Sequence, residues 1–221
     1  MDRTIKTTVI IILLLCTSRS PSQSAIMYGP EEMGSDLEKF ALALKEVHPG
    51  TFTHQSEAGF DEFLGQLKAG ISEPLGGTDF YRILLRLVAR VHDGHTQAYA
   101  TGKLGGTIYG QKRLPFQVHV ENERIFIVKD LSGQEIPEGS EIISLDGHLG
   151  NGILRSIMEH YSSDGKSGNG MYHWLGGPYR PFNRLYPEIF GENPEYALTK
   201  LNNSYNSFKI SPLLANLSKP L

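Results

Sequence analysis

Three stretches in the first half of the chain repeat apolar residues at the spacing of a helix turn. In SDLEKFALALKEVHPG, Leu37, Phe40, Ala41, Leu44 and Val47 share one face. Ser35 and Glu38 are placed as a capping box, and Pro49 with Gly50 as the stop. A second pattern begins near Ser56, carries Phe60, Phe63, Leu64, Leu67 and Ile71, and closes at Pro74, Gly76 and Gly77. The third, TDFYRILLRLVARVHDGH, places Phe80, Ile83, Leu84, Leu87, Val88 and Val91 on one stripe, with Thr78 as amino cap and Gly94 as the expected left-handed carboxyl cap. Three amphipathic helices with short connections bury their stripes on one another, so residues 31–103 are expected to form a helical bundle.

From Leu104 the period changes. Gly105, Gly106 and Gly110 interrupt the helical spacing, and PFQVHVENERIFIVKD follows, with Phe116, Val118 and Val120 pointing one way. Asn122 and Glu123 separate this strand from the next as a hairpin turn would, and EIISLDG is a further strand ending in an Asp146-Gly147 turn. Ile153 to Tyr161 reads as a short helix. Beyond Ser162 the chain is rich in Gly, Asn, Pro and Tyr without a clear period, and residues 201–221 are expected to be an irregular tail. Helices followed by strands give an α+β fold of two small domains, the second a β-rich module over residues 104–200.

Composition narrows the function. The 221 residues are 39% hydrophobic and 10% aromatic, enough for packed cores. With 21 Lys and Arg against 24 Asp and Glu, the net charge of -3 supplies no basic field, so a nucleic-acid partner is not expected. The first 25 residues have the layout of a secretory signal peptide. Arg3 and Lys6 precede an apolar run ending at Leu15, small and polar residues follow, and cleavage is expected between Ser18 and Ala25. That run is too short to cross a bilayer, so a secreted or periplasmic protein without a stable membrane span is expected. A lipoprotein is disfavoured, since Leu15 stands before Cys16 where a small residue is needed. Cys16 is the single cysteine, which leaves the mature chain no disulfide and no thiol chemistry.

His95 stands just past the end of the third helix, where a packed element can hold a general base in place. A histidine there equally serves to face solvent or to hydrogen-bond the helix end. His92, Asp93 and His95 invite a metal reading, but there is no HExxH, no cysteine pair and no third ligand in view, and neither a metal nor a cofactor is expected. No nucleophile is evident. Around Ser167 the sequence GKSGN has Asn169 where a nucleophile elbow needs glycine, and His160 occupies the first glycine position of a phosphate-binding loop.

These features in their order resemble the tail-specific, or carboxyl-terminal-processing, serine peptidases, a group that includes the tricorn core peptidase. The likeness runs from about Leu37 to Leu198. It rests on Val47-His48-Pro49-Gly50 ending one helix, an aromatic-rich helix after it, and Asp93-Gly94-His95-Thr96 ending the third. GSEIISLDGHLGNGILRSIMEHY is similar to part of the family's PDZ-like module through Ile142, Ile143, Leu145, Asp146 and Gly147. The resemblance implies that residues 104–200 are PDZ-like and that His95 is the general base for a serine carried by a later α/β catalytic domain. It also implies that the sequence holds an amino-terminal part of such an enzyme, without that α/β domain and inactive alone. The tricorn-like branch has a serine where Gly94 stands here. The expected partner is a peptide or protein carboxyl-terminal tail, together with a separate catalytic domain. Lys112, Arg113, Leu114, Pro115 and Phe116, just before the first strand of the module, are the expected substrate contact. An ordinary strand start with Phe116 in the core is the alternative. Two further readings stay open: a stand-alone peptide-binding module, or an interface remnant formed by Tyr172, Trp174, Tyr179, Phe182 and Tyr186.

Overall fold

The computed structural model describes residues 27–165, 168–176, 181–191 and 193–210. The expected signal segment, Cys16, Ser167, Tyr179 and residues 211–221 lie outside them. The chain is α+β: a helical first half is followed by a mostly antiparallel sheet with its own helices.

Strand β1 (Met27–Tyr28) leads into α1 (Pro30–Val47), α2 (Glu57–Ala69) follows, and β2 (Leu75–Gly76) pairs antiparallel with β1 before α3 (Gly77–Ala89) and α4 (Gly102–Tyr109). Met33, Leu37, Ala41, Phe60, Leu67, Ile71 and Leu87 form the core of this half. Ser56 caps α2 as expected, its hydroxyl accepting from the Gly59 amide at 3.1 Å. The other two starts differ. α1 begins five residues before Ser35, at Pro30, whose fixed φ suits a first helical position and whose missing N–H costs nothing there. α3 begins at Gly77 with Gly76 as its cap, one residue ahead of Thr78. Val47, placed on the apolar stripe by its spacing, is 80% exposed. α4 forms across Gly105 and Gly106, where the glycines suggested an end to helix. Gly105 is needed for closeness, because a Cβ on it would stand 2.6 Å from the Ala100 carbonyl oxygen.

The second half contains β3 (Phe116–Glu121), β4 (Arg124–Asp130), β5 (Glu141–Leu145), β6 (His148–Leu149), α5 (Gly150–His160), α6 (Gly168–Gly176), α7 (Phe182–Phe190), β7 (Tyr196–Leu201) and β8 (Ser204–Lys209). The strands run in the order β3-β4-β5-β7-β8, with β6 also paired to β5. Three two-residue turns connect neighbours, each with both residues at positive φ: Asn122 and Glu123, Asp146 and Gly147, Asn202 and Asn203. That is the type I′ geometry whose twist matches a right-handed hairpin. The Asp146 carboxylate also accepts the Glu195 and Tyr196 amides at 2.8 Å each, which fastens the start of β7 to the β5–β6 turn. The stretch after Asn202, expected to be irregular, therefore begins with a strand. Its polar residues fit an edge with little burial, and Tyr205 is 59% exposed.

Phe116, Val118, Val120, Ile125, Ile127 and Ile142 of the sheet pack against Ile153, Leu154 and Ile157 of α5, Met171 and Leu175 of α6, and Leu185 of α7. Phe182 and Tyr186 are fully inside this core, with Tyr172 and Trp174 partly buried against it, so these four are packing residues of the second half. The two halves meet along α3 and α5. Tyr161 packs on Tyr81, Leu85 and Ile108, and the Arg82 guanidinium donates to the Glu188 backbone carbonyl at 2.9 Å. The buried Glu188 carboxylate is paired with Arg184, and burial pushes its carboxyl above the usual range. Among the described residues no helix is long and apolar enough to cross a membrane.

Phe116 is completely buried while Lys112 is exposed. Phe116→Ala is expected to lower unfolding free energy by about 3–5 kcal/mol. Lys112→Ala should leave it within about 0.5 kcal/mol. Urea denaturation monitored by circular dichroism measures both.

Candidate functional site

The segment between α3 and α4 carries the Asp-Gly-His-Thr motif, and two distant segments hold it in place. α3 ends earlier than its apolar spacing suggests, at Ala89, and the left-handed residue after it is His92 (φ 57°), not Gly94. Glycine at 94 answers to a different constraint. Its amide donates to an Asp164 carboxylate oxygen at 2.8 Å, and a Cβ there would lie 3.0 Å from the same oxygen. The neighbouring amide of Asp93 donates to the Ser162 hydroxyl at 3.2 Å, and the Gly165 amide to the His92 carbonyl at 3.0 Å. The connection leaving α5 thus lies along one side of the motif.

On the other side stands the His-Pro-Gly stop of α1. His48 Nε2 is 3.0 Å from Asp93 Oδ2 and 2.6 Å from Thr96 Oγ1, and its Nδ1 accepts the Gly50 amide at 3.1 Å. The second Asp93 oxygen, Oδ1, accepts the His95 amide at 2.8 Å. These donors hold the Asp93 carboxyl below its usual range, the His95 amide contributing most and the His48 hydrogen bond also lowering it.

His95 itself projects outward. Its side chain is 93% exposed and its Nδ1 is 3.6 Å from Asp93 Oδ1, an ion-pair distance longer than a hydrogen bond. Beside it opens a pocket of about 210 Å³, with Tyr161, Met171 and Trp174 as the apolar side and Ser163, Asp164 and Gln97 among the polar groups. The pocket joins the motif to α6, which the irregular sequence after Ser162 had hidden. Ser162 also borders it, but its hydroxyl is committed to the backbone on both sides, accepting from Asp93 and donating to Ala89 at 3.4 Å.

The expected contact segment is elsewhere. None of Lys112, Arg113, Leu114, Pro115 and Phe116 lines this pocket. Leu114, Pro115 and Phe116 are buried, Arg113 is partly so, and only Lys112 is exposed. The backbone is also occupied: the Leu114 amide donates to Asn183, the Pro115 carbonyl accepts from Leu131, and the Lys112 carbonyl accepts from Asn193. The segment is built as the strand start of the alternative reading, with Phe116 in the core.

For a metal, the convergent set among the described residues is Asp93, His95 and Asp164, whose nearest ligand atoms lie within 4.8 Å of one another. His92, which the spacing put beside them, is instead edge-to-face with His54 at 6.4 Å between ring centres. Asp164 lies seventy-one positions beyond Asp93, so only the fold brings it in. Three of the four carboxylate oxygens in the set already accept hydrogen bonds: both of Asp93 and one of Asp164. Their first task is to shape the loop.

No protein-family model matches the chain, and no curated protein matches it.

Because the folded Asp93 carboxyl titrates below its unfolded value, its contribution to stability is present above about pH 3.9 and lost as pH falls through the folded midpoint. A carbon-13 titration of the Asp93 carboxyl should therefore show a midpoint below about 3.9. Asp93→Asn should remove this part of the acid dependence of unfolding. An ordinary midpoint would mean that the surrounding donors do not bind the carboxylate.

Proposed function

We propose that this chain is the amino-terminal portion of a serine-type peptidase that acts on peptide or protein carboxyl-terminal tails in a secreted or periplasmic setting. His95 is the general base and the serine comes from an α/β catalytic domain outside these residues. The observation that carries the reading is the state of His95: an imidazole held on a braced loop, one nitrogen turned toward the Asp93 carboxylate, the ring open to an incoming partner. In a serine triad the carboxylate orients the imidazole, which takes the hydroxyl proton as the oxygen attacks the carbonyl and returns it to the leaving amine. A 3.6 Å separation without substrate is compatible with such a pair, since these contacts tighten in the reacting complex.

Further support comes from the neighbouring pocket, whose apolar and polar walls suit a substrate side chain next to the base. For the second half, the PDZ-like reading is favoured by the antiparallel strands, the Asp146-Gly147 turn and α5 directly after it. A stand-alone peptide-binding module is the second reading. The observation in its favour is β8, an exposed edge strand with one paired neighbour among the described residues, where an extended peptide would add by main-chain hydrogen bonds.

The 221-residue protein alone is expected to hydrolyse no unstructured peptide. Extending it with the coding sequence downstream of Leu221 should supply a serine-bearing α/β domain and peptidase activity, and His95→Ala in the extended protein should lower kcat by at least about 10³-fold. Hydrolysis that survives His95→Ala would overturn the assignment. Specific capture of labelled carboxyl-terminal peptides by a protein with no hydrolytic form would favour the second reading.

A further inference from the structure

We infer that His48 is a positioning residue, which aims the Asp93 carboxylate and through it fixes the backbone and side-chain placement of His95. This deepens the reading of His95 as a base and rests on it. By sequence, His-Pro-Gly reads as a helix stop. A stop requires only that proline and glycine discourage another turn, and it gives the histidine no task.

The ring's hydrogen bonds supply the task. The Gly50 amide donates to His48 Nδ1, so Nδ1 has its lone pair free and the hydrogen of the neutral ring is on Nε2. That hydrogen points between Asp93 Oδ2 at 3.0 Å and Thr96 Oγ1 at 2.6 Å. The tautomer is set by the turn itself. A Cβ on Gly50 would lie 3.2 Å from His48 Cε1 and 3.5 Å from Thr53 Oγ1, so glycine lets the ring fold back across its own turn. Proline between them adds stiffness to the backbone.

The Asp93 carboxylate is divided between two histidines. Oδ2 faces the His48 ring, while Oδ1 takes the His95 amide at 2.8 Å and lies 3.6 Å from His95 Nδ1. A carboxylate is planar, so holding one oxygen fixes where the other points. His48 is 16% exposed against 93% for His95, so the part-buried ring is the anchor and the open ring the one anchored. The arrangement crosses 45 residues of sequence between His48 and Asp93. His95 therefore depends on the end of α1 as well as on its own helix, α3.

The test compares His48→Gln, which keeps an N–H donor at the end of the side chain, with His48→Leu, which keeps bulk and loses the donor. Hydrogen exchange of the His95 amide in the 221-residue protein is the first readout. His48→Leu should accelerate it about tenfold or more, the scale of one hydrogen bond to a charged group, and His48→Gln should restore most of the protection. Equal exchange in the wild type and His48→Leu, or equal loss in both variants, would overturn the inference. Nitrogen-15 spectra of the wild-type imidazoles are independent of any variant's folding. In the neutral His48 ring the hydrogen is expected on Nε2, and a neutral ring carrying it on Nδ1 would overturn the inference. In the extended, active protein His48→Leu should lower kcat far more than it changes KM, with rescue by His48→Gln. If the exchange results hold while His95→Ala leaves hydrolysis intact, the base assignment fails and the positioning role stands.

Discussion

The Asp93 carboxylate is the point on which the candidate site turns. An ionised aspartate is readily solvated, and drawing it into a loop is favourable only when donors replace the water it gives up. Here they come from a helix end far back in the chain, from the backbone two residues ahead, and from Thr96 close by. Asp164, Ser162 and Gly165 secure the backbone on the other flank. The loop's shape is thus imposed by both halves of the protein, and the contact of α3 with α5 that brings those halves together is a condition for it.

This arrangement explains which parts of the site were legible in the sequence. The three first helices and the Asn-Glu and Asp-Gly hairpins follow from local rules, apolar period in one case and turn residues that tolerate positive φ in the other. His95 was singled out by its place after a strong amphipathic stripe, yet the stripe ran past the true end of α3. A buried Val91 continued the apolar pattern although the backbone had already left the helix. Gly94 serves otherwise than as a left-handed helix cap: its lack of a side chain admits Asp164, while the left-handed residue is His92. Nothing local marks Asp164 or Ser162 as partners of residues 92–94, because the contact is made by tertiary packing alone.

The same distinction applies to the second half. α6 and α7 leave no clear signal in the sequence because glycine, proline and tyrosine obscure the helical period, and α7 even contains Pro187. β8 leaves none either, because an exposed edge strand has no buried face to write an alternating pattern. Residues 112–116 show the converse. Their position before a strand suggested an open contact, whereas Leu114 and Phe116 carry enough apolar surface to be drawn wholly into the core.

The long excursion between β5 and β7 has a consequence for how the chain acquires its structure. Ile142 pairs with Thr199, so the centre of the sheet is joined only after α5, α6 and α7 have been made. The helical half has mostly local partners and can gather its core while the rest is still being synthesised. The Asp-Gly-His-Thr loop belongs to that early half, but the residues that brace its second side follow α5. During synthesis the loop therefore passes through a stage in which His48 is in place and Asp164 is not. The loop's bracing is completed late, by the arrival of a segment that is itself neither helix nor strand.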